Sequence, residues 1–228
     1  MESMPAALLL LADSRLPAGG HAHSGGLEPA AAAGSVAEVE DLRDFLRGRL
    51  ATSGLVAAAL AAAACVHAAA PQDDWAWERL DAEADARTPS PAQRRASRAQ
   101  GRSLLRAARA TWPHPSLDVL AGDLREPHHP LVLGAATTAA DGTPLQAATI
   151  AAYGAVTGPA SAAVRLLGLD PLAVHRLLAD LAPAVDRVAA EAADDAGRGW
   201  AALPAPSAPV LDLLAEAHVH AGLRLFES

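Results

Sequence analysis

Lysine is absent from this chain, and all 18 of its positively charged residues are arginine. Without lysine the Gly-x-x-x-x-Gly-Lys-Ser/Thr phosphate loop cannot be built, which excludes a P-loop nucleotide hydrolase. A single cysteine, Cys65, forms neither an internal disulfide nor a cysteine-based metal site. Nothing therefore calls for an oxidising compartment, and the cytoplasm is the expected location. Aromatic residues make up only 3% of the chain and β-branched residues are also sparse, which leaves little material for strands. No Gly-x-Ser-x-Gly elbow is present, so nucleophilic hydrolysis has no positive sign. Leu8–Leu11 is a very short apolar run flanked by Glu2 and Asp13 without a basic leader, unlike a signal peptide. A basic excess is missing too: the formal charge is −8, which argues against a general nucleic-acid binder and for protein partners.

What is present is alanine, within a hydrophobic fraction of 51%. Alanine has the best intrinsic helix propensity, so an all-α fold with a core of small, closely packed side chains is expected. The 228 residues suit one domain, because single cores stop growing only near roughly 250–300 residues. The run from Leu55 to Ala70, interrupted by His67, falls short of the roughly 20 strongly apolar residues that span a bilayer and reads as a buried helix holding Cys65.

Punctuation divides the chain into about eight to ten helices in one bundle. A short helix over Met4 to Ala12 is followed by the glycine-rich loop that begins at Leu16-Pro17. Ser35 and Glu38 have capping-box spacing, and Val36, Val39, Leu42, Leu46 and Leu50 recur at helical intervals. Pro71 closes the next region, a helix carrying Trp75, Trp77 and Leu80 follows, and Thr88-Pro89-Ser90-Pro91 breaks the chain before a helix to Thr111. Further helices are expected over Leu117–Leu124, Leu131–Ala140, Leu145–Leu167 and Leu172–Ala193. Thr143-Pro144 and Asp170-Pro171 provide caps with proline at the first helical position. Gly197 to Pro209 is a linker before a last helix over Val210 to Ala221, and the tail 222–228 is expected to be loose.

Two histidine pairs invite a metal reading, His21 with His23 in the loop and His218 with His220 near the chain's end. Residues two apart on a helix face different ways, so they are weak ligand candidates. His128-His129 before Pro130 reads as a turn or interface pair. Arg94, Arg98, Arg102, Arg106 and Arg109 line one helical face, suited to an acidic partner, a phosphate, or carboxylates of the same fold.

Leu16-Pro17-Ala18-Gly19-Gly20-His21-Ala22-His23-Ser24-Gly25-Gly26-Leu27-Glu28 resembles the signature of UreF-type urease accessory proteins. Gln100-Gly101-Arg102-Ser103-Leu104-Leu105, Ser161-Ala162-Ala163-Val164-Arg165-Leu166, and Arg224-Leu225-Phe226 followed by Ser228 are similar to the family in the same order. His21 and His23 stand where the family usually has aromatic residues. The resemblance implies a non-enzymatic, dimeric, all-α scaffold. It would bridge a UreD/UreH-type protein and the GTPase UreG, which supplies the nucleotide chemistry for nickel delivery to apo-urease. No tightly bound cofactor is implied, nickel being handled transiently, and neither nucleic acid nor membrane is a partner. The partner-binding candidates are Pro17, Gly19, Gly20, Ser24, Gly26, Leu27, Glu28, Arg102, Arg165, Arg224, Leu225 and Phe226. Glycines 19, 20, 25 and 26 are expected to use backbone angles closed to other residues, and Arg224 to Phe226 to order on a partner. A metal-dependent hydrolase using the scattered histidines, and a DNA-binding regulator using the arginine face, are the alternatives.

Overall fold

The computed structural model describes residues 5–222 and 224–227. Among these residues the secondary structure is helical throughout, with no strand. The α-helices are α1 (Ala6–Ala12), α2 (Leu27–Ala32), α3 (Val39–Arg49), α4 (Leu55–Ala69), α5 (Trp77–Ala86), α6 (Pro91–Thr111), α7 (Pro115–Asp123), α8 (His129–Ala139), α9 (Pro144–Leu167), α10 (Pro171–Asp195) and α11 (Pro209–Val219). A π-helical segment, Leu50–Gly54, joins α3 to α4 without a break. Of the expected elements, Met4, Leu223 and Ser228 lie outside the described residues.

Helix α4 is the axis of the bundle, with α8, α9 and α10 packed around it. Its residues from Ala58 to Cys65 are all buried, so alanine serves here as a thin spacer between helices rather than as a solvent-facing helix former. At one crossing the approach is too close for any side chain. A methyl group at Gly134 of α8 would lie 2.2 Å from the Ala61 carbonyl oxygen. The expectation that Leu55 to Ala70 is too short to span a bilayer holds only for that stretch, since the continuous helix Val39–Ala69 has 31 residues. By length and composition it and Pro144–Leu167 could cross a membrane, yet their apolar windows are 72% and 50% buried against protein, the position of core helices.

Side-chain caps explain several boundaries. Thr143 and Gln146 form a reciprocal capping box at α9, and Asp170 accepts from the Leu172 and Ala173 N–H groups at α10. At α3 the box lies three residues beyond the expected Ser35/Glu38 pair. There the Asp41 carboxylate accepts from the Glu38 N–H at 3.1 Å, while the Ser35 N–H closes α2 on the Ala30 carbonyl. Trp75 precedes α5 instead of lying in it. Two prolines, Pro159 and Pro183, sit inside α9 and α10.

Candidate functional site

The loop ahead of α2 turns at Gly25 and Gly26, whose φ angles of 64° and 89° belong to the left-handed region open chiefly to glycine. Gly19 also has positive φ, whereas Gly20 does not and faces open space. The expectation of an unusual backbone at Gly20 is therefore corrected. The Ser24 hydroxyl accepts from the Glu28 N–H at 3.1 Å and fixes the first turn of α2. Leu27 is fully buried, which anchors that turn and aims the Glu28 carboxylate at the far end of the chain.

There Glu28 accepts the Leu225 N–H at 2.7 Å and the Phe226 N–H at 2.9 Å through its two oxygens. The Phe226 carbonyl lies 3.2 Å from Nε2 of buried His218. That ring nitrogen must carry the donated proton, and it also lies 3.6 Å from Glu28. The Glu227 N–H donates to the Ala22 carbonyl at 2.8 Å. Arg165 stacks its guanidinium 4.5 Å from the centre of the Phe226 ring and reaches the His21 carbonyl at 3.3 Å. The tail from 224 to 227 is thus docked on its own domain rather than loose. The physical reason is the pair of charge-assisted hydrogen bonds from Glu28, stronger than neutral ones, together with burial of Phe226.

The loop, the end of α9 and the tail therefore meet at one place. A methyl group at Gly19 would touch Ser103 of α6, so the stretch Gln100 to Leu105 borders the same region. Pro17, Gly20, His21, Arg102, Arg165, Arg224 and Leu225 face solvent here, with Leu225 77% exposed. Ser24, Leu27 and Phe226 are buried and shape the surface from beneath.

The proposed metal-binding histidines are not brought into one ligand set. His21 and His220 are exposed. His23 lies 3.7 Å from Glu227, with burial pushing its pKa below the usual imidazole value despite that carboxylate, and His218 is held by the tail. Among the described residues the group with metal-like spacing is Asp81, Asp85 and His128. A guanidinium already fills it: Arg98 donates to Asp81 at 2.8 Å and to Asp85 at 2.9 Å, and His128 pairs with Asp85 at 2.9 Å. This arrangement gives no support to the hydrolase reading.

The arginine stripe on α6 is answered from within the fold. Arg94 faces Asp85, Arg98 faces Asp81 and Asp85, Arg102 faces Glu126 and Arg109 faces Asp118. Most of the face that a DNA backbone would need is already neutralised.

Sequence reasoning missed one polar residue near this region. Arg49, at the junction of α3 and the π-helical segment, points beneath Gly25 and lines a cavity of about 290 Å³ with Gly25, His129, His218 and Glu227. The proline inside α9 could have indicated that some side chain must serve the carbonyl it leaves unpaired.

Comparison with known proteins now gives the family. The UreF family model matches residues 36–182. Urease accessory protein UreF of Mycobacterium sp. strain JLS is 48% identical over 222 residues, covering 97% of each chain. The UreF of Mycolicibacterium vanbaalenii is 46% identical over 98% of each, and that of Mycobacterium tuberculosis strain H37Rv is 43% identical over 93% of each. Their shared name is that of an accessory protein, not an enzyme. With the family model covering more than half of its length and relatives this similar across nearly all of it, the chain belongs to the UreF family of urease accessory proteins.

Proposed function

We propose that this protein is a cytoplasmic, homodimeric scaffold that bridges a UreD/UreH-type accessory protein and the GTPase UreG during GTP-dependent delivery of nickel to apo-urease. The observation that carries the reading is the convergence of four family-like stretches, far apart in sequence, on one end of the bundle. Loop 16–28, the α6 stretch 100–105, the α9 stretch 161–166 and tail residues 224–226 share that end. It presents an exposed leucine beside arginines, the composition of a docking patch with an apolar anchor and a charged rim.

In this role the chain contributes shape and contacts, and nucleotide chemistry belongs to the GTPase, in keeping with the absence of lysine. Nickel is cargo passed through the complex and is not held tightly by His21, His23, His218 or His220. Nucleic acid and membrane are not partners. Co-expression with the two accessory partners, followed by size-exclusion chromatography with light scattering, tests the reading. Co-elution at a mass fitting a dimer of this chain plus partners is expected. Separate elution of folded components would overturn it.

A further inference from the structure

Arg49 is a half-buried cation that forms no ion pair among the described residues. The one hydrogen bond its side chain makes among the described residues goes from Nε to the Ala155 carbonyl at 3.1 Å. That carbonyl lies four residues before Pro159, whose ring nitrogen cannot supply the N–H that α9 would otherwise use there. The side chain is thereby fixed by its Nε, and its two terminal nitrogens have no acceptor among the described residues. Burial with no offsetting carboxylate lowers its pKa to about 10.

The surroundings are built for close approach. A methyl group at Gly25 would lie 3.2 Å from the guanidinium and 2.9 Å from the Pro159 ring, so only glycine leaves that side open. Arg49 sits where the helix passes into its π-helical turn, a distortion common at functional sites. The cavity of about 290 Å³ also carries Gln93 and Gln100, whose amides have no hydrogen bond from within the protein among the described residues. The cavity's own acids, Asp212 and Glu227, form no ion pair with Arg49. A partly buried cation whose terminal donors open into a cavity gains from an anion that completes it.

We propose that this cavity binds a single carboxylate or similar small oxyanion on the terminal nitrogens of Arg49, with the amides of Gln93 and Gln100 as neutral donors. The planar fork of a guanidinium matches a carboxylate with two parallel hydrogen bonds, and the cavity has ample room for a small acid or one acidic side chain. The carboxylate comes either from solution or from a docking protein.

The test uses the full chain, sodium acetate and sodium phosphate as probes, and sodium chloride at matched ionic strength as control. Arg49→Gln removes the fork. Ala57→Leu fills the cavity wall without touching the Arg49–Ala155 hydrogen bond, which keeps the test decisive if the first variant fails to fold. A saturable rise in melting temperature with acetate or phosphate, weakened about tenfold in both variants, would support a dissolved ligand. No response to either anion, but about tenfold weaker capture of the UreD/UreH-type and UreG partners by folded variants, would assign the carboxylate to a partner. Equal behaviour of wild type and folded variants in both arms would overturn the proposal. If the wild-type chain captures neither partner, the bridging reading fails separately and the anion arm decides alone.

Discussion

Glu28 holds the backbone of Phe226 at 2.9 Å across a sequence separation of 198 residues. One carboxylate in the first turn of a six-residue helix thus holds the backbone of Leu225 and Phe226 in place. Glu28→Gln keeps one acceptor and loses the charge, and should lower stability by about 1–2 kcal/mol. Urea unfolding monitored by helicity measures this, and an unchanged midpoint would show that the tail hydrogen bonds contribute nothing.

The tail's two roles separate by substitution. Removing residues after Ala221 uncovers the pocket of buried Phe226 and should lower the melting temperature by several degrees while helicity is kept. Leu225→Asp changes a side chain 77% exposed and should leave melting unchanged yet abolish co-purification with the proposed UreD/UreH-type partner. Retained capture by Leu225→Asp would remove the tail from the docking surface.

Gly20 and Gly25 give a second such contrast. Gly20 has open space about it, so Gly20→Val should fold normally and weaken complex formation. Gly25→Val combines positive φ with a clash against Pro159 and Arg49, and should destabilise by about 2 kcal/mol or more. Melting curves and pull-downs on both variants check this, and unchanged pull-down by Gly20→Val would discard the loop's docking role.

Arg49 and Pro159 should be energetically coupled. Arg49→Met leaves the Ala155 carbonyl without its donor and should cost about 1–3 kcal/mol. In a Pro159→Ala background the helix supplies an N–H to that carbonyl, so the same change should cost less. A double-mutant cycle reads the difference, and strict additivity would deny the link.

Acid should destabilise the fold through imidazoles. Burial pushes His23, His67 and His128 below their ordinary pKa, and His129 is lowered to about 4 by burial, with His23 adding repulsion. Nε2 of His67 accepts the Ala76 N–H at 2.8 Å, a bond that protonation there would break. Folded pKa values below the unfolded value of about 6.5 mean that the unfolded chain binds more protons in between. The contribution is complete above about pH 6.5 and is lost as pH falls toward 4. Denaturation midpoints at pH 7.5, 6 and 5 should decline, with a shallower decline in His129→Leu. A flat profile in the wild type would contradict the buried, neutral state of these rings.

Local chemistry made most of the fold legible. Thr143-Pro144 and Asp170-Pro171 begin helices because cap and proline act on adjacent backbone, and most of alanine-rich 55–70 forms the core because its one polar ring, His67, is satisfied by the Ala76 N–H. Non-local chemistry was hidden. Pro159 is tolerated inside α9 because Arg49, 106 residues from Ala155, serves the Ala155 carbonyl that the proline orphans. Helix α2 was missed because Gly25, Gly26 and Pro29 within so few residues read as loop. The site's segments were recognisable as ordered motifs, but their meeting was not, since Glu28 and His218 hold the tail from opposite ends of the sequence. Ser35 misled because its spacing to Glu38 matched a cap, while its backbone was committed to closing the preceding helix.

The docking of Glu227 beside Ala22 has a practical bearing. An affinity tag or reporter placed directly after Glu227 would emerge in the midst of the candidate docking patch, and would disturb the contacts that Glu28 and Arg165 make with residues 225 and 226. Partner-capture experiments carried out with such a fusion would report weakened assembly whose origin is the label rather than the protein.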